Sequence, residues 1–265
     1  ASVGAVAPDF TAGAVYLAGG VRGVSTNADW QDGFDSLLQD MDISIVVPLI
    51  SRDLNAEGLG STANVEVVHA QLASHLAAAR GNGRTTRMGV ASIRVDEKTG
   101  IQLKYLLDRA KALNDYDIHL CYQRPRLLDA DSTLKYFGEW GMACIFAGMR
   151  AGMPVGRAAT HKFIRTSDVQ QHSAVDPADV TILNQLQLGG VVVVQSVPRR
   201  GFWVVRDLTT HLQTDNLART DGNVAGVIRF ITRDFTDFVE REFVGQDAPV
   251  MQPAMARQHI PHPQR

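Results

Sequence analysis

Apolar positions in the first half of the chain follow two recurring patterns. One is the short continuous run, seen at 14–18, in "ISIVVPLI" at 43–50, in "RMGVASI" at 87–93 and in "DIHLCY" at 117–122. Runs of this length without polar alternation predict strands buried on both faces. The other is helical spacing. Trp30, Phe34, Leu37 and Leu38 share one face of a predicted helix over 28–41, with Thr26 or Asn27 placed to cap it. Val68, Leu72 and Leu76 do the same over 64–80, and Leu103, Leu106, Leu107 and Ala110 over 101–114. Strands alternating with helices predict an α/β fold: a mostly parallel sheet with helices on both faces.

The second half changes character. A helix over 142–156 is rich in small residues, with Ala143, Ala147, Gly148 and Ala151 allowing close approach, and Pro154 and Gly156 ending it. A short strand is predicted at 160–164. A helix over 177–190 takes Asp176 as its N-cap and Gly189 past its end. Two strands, 191–197 and 201–210, flank the turn "PRRG" and form a hairpin. A long helix over 224–245 follows. Val224, Ile228, Ile231, Phe235, Phe238 and Val239 make one broad apolar stripe on it, while Arg233, Asp237 and Arg241 fall a turn apart on the other side. The last stretch holds four prolines and no periodicity, so it reads as an extended arm or a frayed tail. The expected organisation is an α/β domain at 10–156, a smaller α+β domain at 157–246 and an arm at 247–265.

The 265 residues are 45% hydrophobic and 20% charged, which suits a packed core. A net charge of -2 gives no argument for nucleic acid or membrane. No apolar stretch approaches the roughly 20 residues that span a bilayer. Cys121 and Cys144 sit in apolar contexts and read as buried, reduced thiols.

Candidate chemistry changes this picture little. The glycine cluster Gly19, Gly20 and Gly23 follows the first predicted strand, as phosphate-binding loops do. A Walker loop needs Lys and then Ser or Thr directly after its last glycine, but Val24 and Ser25 follow here. A dinucleotide loop needs G-x-G-x-x-G and a carboxylate on the next strand; the spacing is G-G-x-x-G, and "ISIVVPLI" has no carboxylate. The cluster therefore reads as a tight turn. No histidines or cysteines stand at metal-site spacing, and no G-x-S-x-G elbow offers a nucleophile. The least ordinary features are basic: Arg199 and Arg200 at the predicted hairpin tip, and "RPR" at 124–126. They suit either a soluble tip or contact with an acidic partner.

Several segments in order carry a resemblance. They are "LAGGVRG" at 17–23, "WQDGFDSLLQDMDISIVVPLI" at 30–50, "CIFAGMRAGMPVGRAATHKFI" at 144–164, "NQLQLGGVVVV" at 184–194, "VVRDLTT" at 204–210 and "VIRFITRDFTDFVEREFVGQ" at 227–246. With these the chain resembles the tail sheath protein of contractile phage tails and related injection machines, over about residues 10–246.

The resemblance implies a first domain that is subtilisin-like in fold but non-proteolytic, and a smaller domain near an inner tube. It implies no enzyme activity and no cofactor or metal. It implies a homo-oligomer of six-subunit rings stacked helically, partnered by an inner tail tube protein, baseplate and tail terminator proteins. Nucleic-acid binding and membrane insertion are not implied. The location would be the virion tail, assembled in the host bacterial cytoplasm. Arg199, Arg200, Arg229, Arg233, Arg241, Pro249 and Pro253 are the residues expected at a subunit or tube interface. Family members extend further at both ends, so the chain is expected to be a fragment or a short variant. A baseplate or cap protein forming a single ring, and an α/β enzyme with its site at the strand ends, are the alternatives.

Overall fold

The computed structural model describes residues 24–40, 42–54, 61–81, 86–95, 100–212 and 217–243. The predicted first strand, the glycine cluster and the C-terminal arm with Pro249 and Pro253 lie outside these residues. Six α-helices and nine short strands are present among the described residues.

Three strands, β1 (Ile45–Val46), β2 (Met88–Ser92) and β3 (Ile118–Cys121), pair in parallel in that order. Between them run α2 (Val65–Gly81) and α3 (Gln102–Leu113), preceded by α1 (Asn27–Leu38). Parallel neighbours need such a crossover, because a hairpin cannot reverse the chain twice. Thr26 caps α1 in a reciprocal box with Asp29. Val191 continues the parallel pairing by bridging Leu120.

Alternation along these strands sends side chains to two cores. Ala91, Ile93, Ile118, Leu120, Val191 and Val193 pack in one cluster with residues of α1, α2, α3 and α5 (Val180–Leu188). Met88, Val90, Cys121, Val192 and Val194 pack in the other, with Met142, Phe146 and Ala147 of α4 (Glu139–Ala151). Both clusters draw on residues before and after 156. Gly89 lets α2 close onto β2, since a Cβ there would stand 2.8 Å from Leu76 Cδ1.

Two small antiparallel sheets are also present among the described residues. β4 (Arg124–Leu128) lies between β5 (Leu134–Tyr136) and β7 (Asp168–Gln170), and β9 (Gly201–Val204) between β6 (Phe163–Ile164) and β8 (Val194–Val197). The long α6 (Gly222–Phe243) follows.

Several expectations are corrected. The run 43–50 yields only two strand residues; Pro48 has no N–H to extend the ladder. The small-residue helix starts at Glu139, whose buried carboxylate accepts a 2.8 Å hydrogen bond from the Ser51 hydroxyl, and ends at Ala151. Its small residues divide: Ala143 and Ala147 are buried, whereas Gly148 and Ala151 are exposed. Cys144 shares that outer face one turn from Gly148, so it is exposed, while Cys121 is buried; both are free thiols. The N-cap of α5 is Asp179, which accepts from the Thr181 N–H at 2.7 Å; Asp176 makes a local turn to the Ala178 N–H instead.

Candidate functional site

Two buried acidic junctions fix α6 to the body. At the first, the Asp207 carboxylate accepts from Arg150 Nη1 and from the Ala159 N–H, both at 2.9 Å. The Asp207 carbonyl accepts from the Gly222 N–H at 3.0 Å, and the Gly222 carbonyl accepts from Arg150 Nη2 at 3.2 Å. Asp207, through its carboxylate and its carbonyl together with Arg150, thus joins the end of α4, the 157–160 loop, the segment after β9 and the start of α6. A full anion is tolerated there because a guanidinium and a backbone N–H supply its hydrogen bonds. His119 lies alongside, with Nδ1 hydrogen-bonded to the Leu208 carbonyl at 2.7 Å. Burial is the main reason that its pKa is lowered to about 4, with the Asp207 charge opposing, so the ring is neutral at pH 7.

At the second junction, Asp117 accepts from Arg229 Nη1 at 2.7 Å and from Arg80 Nε at 2.9 Å. Arg80 Nη2 also reaches both oxygens of Asp115 at 2.8 Å. The Arg80 guanidinium stands 4.3 Å from the Tyr116 ring centroid and that of Arg219 stands 5.0 Å from it. Burial raises the Asp117 pKa, and Arg229 and Arg80 counter it.

Beyond these anchors α6 leaves the core. Ile231 is 58% and Phe235 63% exposed, and Phe230 and Phe238 are also exposed. The predicted apolar stripe is real, but Ile231, Phe235 and Phe238 of it are exposed, while Val224, Ile228 and Val239 are half-buried.

The interface candidates separate into three places. Arg229 and Arg233 line a cleft of about 260 Å³ between α6, the end of α4 and β1–β2, together with Arg150, which periodicity did not single out. Arg241 lines a shallow depression on the outer face of α6 with Ile231, Phe235 and Phe238. Arg199 and Arg200 sit exposed in the turn between β8 and β9, where Arg199 adopts φ 64. Pro249 and Pro253 lie outside the described residues. The "RPR" motif lies on β4: Arg124 donates to the Phe137 carbonyl at 3.1 Å, and Arg126 stands 5.6 Å from the Tyr136 ring centroid. A larger groove of about 750 Å³ runs between α3 and α5, lined by apolar side chains such as Leu103, Leu107 and Leu188 with Lys104, Asp108 and Lys111.

Among the described residues no group of three or more His, Cys, Asp or Glu is placed to hold a metal ion. No helix among them is long and apolar enough to cross a membrane.

No protein-family model matches the chain, and no curated protein matches its sequence. Its fold matches solved structures. A sheath tail protein from Desulfitobacterium hafniense superposes with a TM-score of 0.58 at 16% identity, over 85% of this chain and 46% of that one. A chain of the anti-feeding prophage baseplate, determined with six-fold symmetrisation, gives 0.55 at 14% identity, over 87% and 54%. A chain of the contracted helical sheath of the same prophage gives 0.52 at 15% identity, over 87% and 55%. The chain therefore has the fold of contractile sheath and baseplate proteins and spans about half the length of these matches.

Proposed function

We propose that this chain is a structural subunit of a contractile tail sheath. It assembles with copies of itself as stacked six-subunit rings around an inner tube and shortens to drive that tube through a target envelope. The observation that carries this reading is the fold, shared over more than four-fifths of the chain with sheath and baseplate proteins. In this reading residues 10–156 supply the subtilisin-like part and 157–246 the smaller part. The inner tail tube, baseplate and tail terminator proteins are its partners in the virion tail, assembled in the bacterial cytoplasm.

The physical demand on such a subunit is rigidity with adhesive surfaces. Contraction without nucleotide draws on interface gained between subunits, at about 25 cal/mol per Å² of apolar area buried. The two charged junctions hold α6 rigidly at its start. Its exposed apolar face is the surface offered to a neighbour, with Arg241 at its rim and Arg199 and Arg200 on a separate projection. Residues 247–265, including Pro249 and Pro253, are proposed as a link between subunits.

The match to a baseplate chain favours a second reading, a subunit of a single ring. Sedimentation velocity over a concentration series tests both. A continuous increase in size supports the sheath, a plateau at one closed species supports the ring, and a monomer throughout contradicts both.

A further inference from the structure

The cleft between α4, α6 and the β1–β2 edge carries one positive charge, that of Arg233, that no ion pair among the described residues balances. Three of its lining residues, Arg150, Arg229 and Arg233, are arginines, and none is Asp or Glu. The two junctions behind it set Arg80, Arg150 and Arg229 against Asp115, Asp117 and Asp207, so those charges cancel. Arg233 is a further cation, with no ion-pair partner among the described residues.

Geometry brings two of these cations close. A Cβ at Gly226 would lie 3.0 Å from Arg150 Nη2 and 3.8 Å from Arg229 Nη2, so both guanidiniums converge over the bare backbone of α6. The first consequence for Arg150 is desolvation, which lowers its pKa; Asp207 opposes this and Arg229 adds to it. Each of these two guanidiniums is already paired with its aspartate, so the charge left to draw an anion into the cleft is that of Arg233, with the remaining N–H groups of the other two as donors. Ser44 and Thr86 add hydroxyl groups to the lining. The volume of about 260 Å³ holds several waters at roughly 30 Å³ each, or a small anion with its residual hydration.

We propose that this cleft binds a compact oxyanion, a carboxylate or phosphate-like group, clamped by Arg233 together with the paired guanidiniums of Arg150 and Arg229. Planar forked donors suit that ligand chemistry. The oxyanion comes either from solution, as inorganic phosphate, or from an Asp or Glu side chain of a second copy of the chain. The inference stands on the single subunit and does not rest on the sheath reading.

Isothermal titration of inorganic phosphate into the full chain, in chloride buffer at constant ionic strength, tests it. Binding is expected for the wild type. Arg233→Gln should weaken it about tenfold, the loss expected for one charge-assisted contact. Arg233→Lys, which keeps the charge but not the fork, should fall between. Lys111→Gln, which removes a positive charge on α3 outside the cleft lining, should bind as the wild type does. Circular dichroism checks that each variant is folded. Self-association measured with and without saturating phosphate then identifies the source. Suppression by phosphate identifies a neighbour's carboxylate, and unchanged association identifies a free anion. No phosphate binding by the wild type, or equal binding by folded Arg233→Gln, overturns the proposal.

Discussion

Arg150 and Asp207 are joined by a 2.9 Å ion pair in which the side chains are only 8% and 1% exposed. They are 57 residues apart, and the pair closes the seam between α4 and the start of α6. A buried pair contributes little net stability over an apolar substitute, but losing one partner strands the other charge. Asp207→Ala should cost about 3–5 kcal/mol in urea unfolding. Adding Arg150→Met should recover part of that loss. A double variant no more stable than Asp207→Ala would show that the stranded charge is not the cause.

Two glycines separate backbone strain from collision. Gly190 and Gly201 both have positive φ, at 72 and 99. A Cβ at Gly190 would stand 2.5 Å from the Thr209 carbonyl oxygen, whereas one at Gly201 meets nothing within 4 Å. Gly201→Ala should cost about 1–2 kcal/mol, the left-handed backbone penalty. Gly190→Ala should cost about 1–3 kcal/mol more, because its neighbour is backbone and cannot turn aside. Equal losses in thermal unfolding would argue against the close approach.

Buried histidines predict acid sensitivity. Burial is the first cause of the lowered pKa of His69, about 3, followed by the Arg109 charge; the Ser92 carbonyl opposes them. His119 is held at about 4, mainly by burial. Both values lie below the unfolded value of roughly 6.5. Their contribution is therefore complete above that pH and is lost as pH falls toward about 4 for His119 and about 3 for His69. Each should remove about 2 kcal/mol between pH 7 and pH 5. Asp117 has the opposite sign, since its raised pKa makes acid relieve a folded-state cost. Comparing His69→Gln with the wild type isolates the histidine. The variant should lose less stability from pH 7 to pH 5, and parallel profiles would contradict the assignment.

The outer face of α6 should matter for association and not for folding. Ile231→Asp or Phe235→Asp should change unfolding free energy by less than about 1 kcal/mol, because both side chains are more than half exposed. Either should still weaken self-association at least tenfold in sedimentation. Arg199→Glu with Arg200→Glu tests the turn in the same way. Full association by the α6 variants would remove that face from the interface.

Much of the layout was legible where one periodicity ran long enough. The predicted ranges 64–80 and 101–114 match α2 and α3 within a residue, because Leu72, Leu76, Leu106 and Ala110 are buried at helical spacing. The antiparallel sheet β5–β4–β7 was not legible. Its central strand carries Pro125, a residue that argues against a central strand, yet Pro125 pairs with Val169 and its carbonyl accepts from the Phe137 N–H at 3.0 Å. The direction of the α6 stripe could not be read either. Amphipathicity gives an apolar face but not what covers it. Arg229 and Arg233 were singled out as interface residues, but their cleft partner Arg150 was not. Only the fold brings the last turn of α4 beside α6. The one local signal was a cation near a helix C-terminus, which is common for reasons unrelated to binding.

Electron microscopy of the purified protein at high concentration most directly tests the proposal that this chain is a self-assembling tail subunit. The account predicts six-fold rings, stacked into tubes for a sheath, and their loss in Phe235→Asp. Dispersed monomers of wild-type protein under the same conditions would contradict it.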